Sequence, residues 1–220
     1  KFQKYMAVGI LGLTMALGFS GCQSENQKNQ DAYRKIGINS MAEGDYDKAV
    51  KSFQKALDTS LGKIGAEEID ICYYKAAAQF AKKDYDGAIE TYTSLIDYDK
   101  ENANAYYLRG SVYLDTDKKD KAFKDYKNAV KYAGREYEIY EGIYENLTNK
   151  GETEEAKNYL KKALDIKPKD GADYAEQGHV YYLLEDYTQA KSSLDRAIDK
   201  DDKTALLYLA EVYNATDQQE

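Results

Sequence analysis

The 220-residue chain carries one histidine, His179, two cysteines, Cys22 and Cys72, one proline and no tryptophan. A single imidazole cannot build a two-histidine metal site or an independent pair of catalytic histidines. No glycine-rich phosphate loop, Gly-x-Ser-x-Gly elbow or Cys-x-x-Cys pair occurs. Carboxylates are abundant, but they follow solvent-facing helix positions rather than converging. These absences predict no metal, no cofactor and no catalysis of the chain's own. Basic residues are outnumbered, 31 Lys and Arg against 39 Asp and Glu, for a net charge of −8. That balance argues against nucleic acid, whose phosphates demand basic surface, and against electrostatic binding to anionic headgroups. The one long apolar run, Tyr5 to Phe19, covers 15 residues. A comfortable transmembrane helix needs about 20.

That run has another meaning. Lys1 and Lys4 precede it and Phe19-Ser20-Gly21-Cys22 closes it, the layout of an export signal. The closing tetrad is similar to a bacterial lipobox, which implies diacylglycerol on Cys22 and cleavage just before it. Acyl chains such as palmitate would then anchor the protein, at about 0.8 kcal/mol per buried methylene. Residues 1–21 are therefore expected to be a lipoprotein signal peptide, and residues 22–30 a lipidated cysteine with a polar tether. A flexible tether of that length spans on the order of 16 Å. The expected location is a bacterial cell envelope, on the outer face of the cell membrane or the periplasmic side. Loss of Lys1 and Lys4 brings the charge to about −10. Cys72 then has no disulfide partner and reads as a buried small hydrophobe.

What fills the rest is a period. Ala88, Ala122, Ala156 and Ala190 stand 34 positions apart, and Ala49 stands 39 before the first of them. Counting copies from Gln30, Ile69, Ala103, Tyr137 and Gly171, position 20 is always alanine. Position 24 is Phe53, Tyr92, Tyr126, Leu160 or Leu194, and position 8 is Gly37, Ala76, Gly110, Tyr144 or Gly178. Apolar residues recur every three or four positions within each half, which is helical periodicity. Small residues at 8 and 20 let two antiparallel helices approach, and larger side chains fill the space beside them. A fixed period of this length marks a solenoid of small helical units.

The segments Gly44-Asp45-Tyr46-Asp47-Lys48-Ala49 and Lys83-Asp84-Tyr85-Asp86-Gly87-Ala88 resemble the helix junction of the tetratricopeptide repeat family. The resemblance implies an all-α, right-handed α-α superhelix of five helix-turn-helix repeats, near 30–63, 69–102, 103–136, 137–170 and 171–204. A capping helix over 205–216 completes a solenoid domain of residues 31–216. Family members bind protein segments in a groove lined by first helices at positions 2, 5, 9 and 12. Carried over, those positions include Tyr73, Phe80, Tyr107 and Leu114, an apolar strip. They also include Glu138, Glu141 and Glu145, an acidic stripe suited to a Lys- or Arg-bearing segment, and His179 and Tyr182. The family's carboxylate clamp is absent, since Arg34 and Ile38 stand where lysine and asparagine are needed.

The expected function is a lipid-anchored interaction scaffold that holds a protein or peptide segment. Two alternatives stand beside it: an accessory subunit of an envelope secretion, assembly or cell-wall enzyme complex, and a wall-glycan module whose groove tyrosines stack on sugars.

Overall fold

The computed structural model describes residues 24–60, 62 and 64–216, and the signal peptide with Cys22 lies outside them. Among the described residues there are eleven helices and no strand, the all-α class expected. They fall into two compact units, one running through Tyr132 and the other from Ala133 onward. The first holds α1 (Glu25–Ala42), α2 (Tyr46–Asp58), α3 (Ala66–Ala81), α4 (Tyr85–Tyr98), α5 (Ala103–Asp115) and α6 (Lys119–Tyr132). The second holds α7 (Tyr137–Asn149), α8 (Thr153–Ala163), α9 (Gly171–Leu183), α10 (Tyr187–Ile198) and α11 (Ala205–Ala215). Within each unit, consecutive helices pack on one another. None of the described helices is long and apolar enough to cross a membrane.

The periodic small residues do what their spacing implies. Ala49, Ala88, Ala122, Ala156 and Ala190 are all fully buried. Phe53, Tyr92, Tyr126, Leu160 and Leu194, four positions further on, are buried beside them. Glycine at position 8 is needed for close approach: a Cβ on Gly178 would stand 2.6 Å from Leu194 Cγ, and one on Gly37 2.5 Å from the Phe53 ring. The fourth repeat differs, with Tyr144 half-buried at position 8 and Gly142 buried two residues earlier.

One hydrogen-bond pattern closes every repeat. The fifteenth residue has positive φ in Gly44, Lys83, Asp117, Gly151 and Glu185. The next residue then donates its N–H back to the helix just ended: Asp45 to Ser40 and Asp84 to Gln79, both at 2.8 Å, and Glu152 to Leu147 and Asp186 to Tyr181, both at 2.9 Å. This six-to-one bond satisfies a terminal carbonyl and reverses the chain. Asp45, Asp84 and Asp186 then cap the second helix, their carboxylates accepting from the N–H of Lys48, Gly87 and Gln189.

Of the expected tether over 22–30, residues 22 and 23 lie outside the described residues, and α1, helical from Glu25, corrects the rest. Ser24 and Gln27 form a reciprocal capping box. The buried Gln30 donates to Glu68 at 2.8 Å, and Arg34 donates to Asp70 at 2.8 Å, tying α1 to α3. A segment without apolar residues is thus ordered by polar contacts. The second repeat starts early for a related reason: the Glu68 carboxylate accepts from the Gly65 N–H and begins α3 at Ala66. Cys72 is half-buried rather than interior, and burial raises its thiol pKa, which keeps it unreactive.

Two stability experiments test these packings. Gly178→Ala should lower unfolding free energy by about 1–2 kcal/mol in urea melts, because overpacking against Leu194 outweighs the helix-propensity gain. At the α1–α3 seam, burial and the neighbouring Asp31 carboxyl push the Glu67 pKa from 4.5 up to about 7. The folded state then keeps a proton the unfolded chain has lost, so Glu67 makes stability fall as pH rises from 4.5 through 7. Wild type should lose more Tm between pH 5 and pH 8 than Glu67→Gln; equal losses would refute this role.

Candidate functional site

The first helices of the second unit each place a polar pair one turn apart on one face. Helix α7 contributes Glu138 and Glu141, α9 contributes Glu176 and His179, and α11 contributes Tyr208 and Glu211. Local packing sets this orientation. Gly178 sits against Leu194 and the Ala190 carbonyl of α10, and Val180 and Ala175 are interior. His179 and Glu176 therefore lie to the side of that buried contact.

These side chains meet. His179 Nδ1 lies 2.9 Å from Glu141 Oε1, with the two side chains only 18% and 15% exposed. One donor atom each from Glu141, Glu176 and His179 lie within 4.8 Å of one another. The imidazole stacks on Tyr208, ring centroids 4.3 Å apart and planes within 12°, and more distantly on Tyr182 at 6.0 Å. Tyr182 in turn leans on Tyr187 at 6.1 Å. Glu138 and Glu211 are exposed at the margin.

The electrostatics follow from burial and crowding of like charge. Burial, then the charges of Glu141 and Glu138, push Glu176 up to about 7, against the opposing pull of His179 and of the Tyr208 hydroxyl. Burial alone would lower His179. The hydrogen bond and charge of Glu141, together with Glu176 and Glu211, outweigh it, and the imidazole holds its proton above the ordinary range. Among the described residues, no lysine or arginine pairs with Glu138, Glu141, Glu176 or Glu211. Elsewhere three acids have guanidinium partners: half-buried Asp70 has Arg34, buried Asp125 has Arg109 and half-buried Asp173 has Arg135.

The residues expected from sequence divide accordingly. Glu141, His179 and Tyr182 come together, with Glu138 at their edge. Glu145 is half-buried on the next turn of α7, outside the three-donor group. The apolar strip is corrected: Tyr107 and Leu114 are interior, with Tyr107 against the Tyr126 ring at 6.4 Å. Tyr73 is half-buried and its hydroxyl donates to Asn102 at 2.6 Å, while half-buried Phe80 packs edge-on to Tyr85. Glu176, Tyr208 and Glu211 were missed, because they fall outside positions 2, 5, 9 and 12. The spacing of Glu176, one turn before His179, was the available signal.

With this geometry in view, comparison with known proteins defines the class. Family models match residues 76–117 as a TPR repeat and residues 31–60, 103–135, 145–170 and 174–203 as tetratricopeptide repeats, more than half of the chain. The chain belongs to the tetratricopeptide repeat family. Its relatives include anaphase-promoting complex subunit 3 of Schizosaccharomyces pombe, 21% identical over 217 residues, covering 86% of this chain and 33% of that protein. Human tetratricopeptide repeat protein 13 is 27% identical over 154 residues, covering 64% of this chain and 17% of its own length. The chain thus spans a third or less of these two relatives. Solved structures similar in fold include TTC0263, a thermophilic TPR protein of Thermus thermophilus, at TM-score 0.50 and 17% identity over 83% of this chain and 98% of that one. Pseudomonas aeruginosa pilF is similar at TM-score 0.51 and 17% identity, over 88% and 87%. At these identities the likeness is one of fold.

Since His179 is the sole histidine, its ring resonances titrate without overlap. In chelator-treated protein, Glu141→Gln should move that titration to lower pH by removing the charged acceptor. The ion pair stabilises below pH 6.5 and its contribution is lost as pH rises through the folded midpoint. An unmoved midpoint would mean that the 2.9 Å contact is not formed in solution.

Proposed function

We propose that the protein is a membrane-anchored interaction scaffold of a bacterial cell envelope, and that the second unit seats a basic segment of a partner protein. The observation that carries this reading is the unneutralised group Glu138, Glu141, Glu176 and Glu211, all on first helices, beside a single imidazole. A lysine or arginine brought by a partner supplies the charge that arginines supply to Asp70, Asp125 and Asp173. Exposed Glu138 and Glu211 make the first encounter, since surface charges steer association more than they hold it. Membership of the family supports protein binding as the general activity. The anchor rests on Cys22 and the three residues before it.

A second reading has one observation in its favour. Helix α11 exposes Leu206 and Leu207, 54% and 73% accessible, as an apolar face. A permanently docked accessory subunit would cover them. The glycan reading loses support, because Tyr107, one of the rings it used, is interior.

The test uses the full chain as bait for envelope proteins solubilised from the native host, beside a Glu138→Lys, Glu211→Lys double variant. A specific partner should bind wild type, weaken as salt rises, and lose about tenfold or more in affinity to the variant. Equal retention by both baits, with loss on Leu207→Glu, would transfer support to the accessory-subunit reading. Cys22→Ala should move the protein out of the membrane fraction; an unchanged distribution would refute the anchor.

A further inference from the structure

We propose that Glu141, Glu176 and His179 form a binding site for a divalent transition-metal ion of the zinc class, with His179 Nδ1 and one oxygen of each carboxylate as ligands. This goes beyond the scaffold reading and does not depend on it.

The argument begins with donor chemistry. An imidazole nitrogen with two carboxylate oxygens is a ligand set for zinc and its neighbours, whereas magnesium and calcium prefer oxygen alone. Ligands at about 2.0–2.1 Å from a shared zinc lie about 3–3.5 Å from one another. The 2.9 Å between His179 Nδ1 and Glu141 Oε1 already falls close to that range, and the group of three spans no more than 4.8 Å. Gathering them around one ion requires side-chain adjustment of about an ångström.

Two further observations separate this cluster from ordinary surface acids. The imidazole is held from behind by a residue that is not a ligand. Tyr208 lies flat against it, ring centroids 4.3 Å apart. Partners that fix ring orientation are what metal sites use to set their geometry. The charge is also left open. Here a lone imidazole faces two carboxylates, with Glu138 and Glu211 adding negative field. Imidazole and carboxylate ligate a metal in their deprotonated forms, so affinity rises with pH. Three protein ligands leave a zinc ion at least one open position for water.

The probe is Zn²⁺ itself, titrated calorimetrically into the full chain at neutral pH after chelator treatment and dialysis, with Mg²⁺ as comparison. The same titration is followed on the His179 ring resonances, which distinguish this site from any zinc held by a cysteine thiol. One equivalent of Zn²⁺ should shift or broaden those resonances and Mg²⁺ should not. Glu176→Gln and Glu141→Gln should each weaken zinc at least tenfold, while Glu155→Gln, at an exposed position on α8, should leave it unchanged. Thermal melts of each variant establish that it is folded. Unperturbed His179 resonances in wild type at saturating zinc would overturn the proposal without reference to any variant. So would zinc affinity indifferent to both glutamine substitutions. Loss of zinc binding with partner capture intact would leave the scaffold reading standing, because its test alters Glu138 and Glu211 rather than the ligands.

Discussion

Everything in this protein hangs on how closely two helices of a repeat approach. Alanine at position 20 is fully buried in all five copies, and the side chain opposite it is usually glycine or alanine. At Gly37, Gly110 and Gly178 an added Cβ would fall within 3 Å of the facing ring or leucine. Dispersion and apolar burial reward that contact only while nothing larger intrudes. With it in place, the rotation of each first helix is set, and so is the face carried away from the core. The turn with positive φ at position 15 serves the same end, since it fixes the second helix against the first within four residues.

The faces left over are not alike. Between α1 and α3 the polar residues complete one another: Gln30 with Glu68, Arg34 with Asp70, and Asp31 with the proton-retaining Glu67. Arg109 donates to both oxygens of Asp125 at 2.7 and 2.8 Å and to Thr93 as well, which completes another such set within the first unit. The second unit satisfies Asp173 with Arg135, but leaves Glu141 with only the His179 imidazole and Glu176 crowded by the charges of Glu141 and Glu138. An uncompensated set of partly buried carboxylates is unfavourable in isolation. Glu176 answers this by holding its proton more tightly, and a bound cation would relieve the same unfavourable energy. This is the physical thread joining the functional proposal and the metal site.

The period, the helical character of each half, the positions of the turns and the family are legible in the residue pattern alone. They are legible because small residues at 8 and 20 and large ones at 24 are demanded by contacts inside a repeat, at fixed sequence spacing. The same pattern also brought Glu141 and His179 into view as first-helix residues. Only tertiary structure decided which faces stayed open. Tyr107 and Leu114 carry the right spacing for a groove, yet they are interior, because spacing assigns a residue to a helix face and not to the neighbour that covers it. The tether turned helical because Gln30 and Arg34 found partners some 36 to 38 positions away. Glu176 and Tyr208 joined the site for the same reason: three separate helices deliver them and Glu141, and each helix's direction is set by its own buried contacts. Local periodicity specifies the elements; the meeting of side chains across repeats depends on helix packing that no single period encodes.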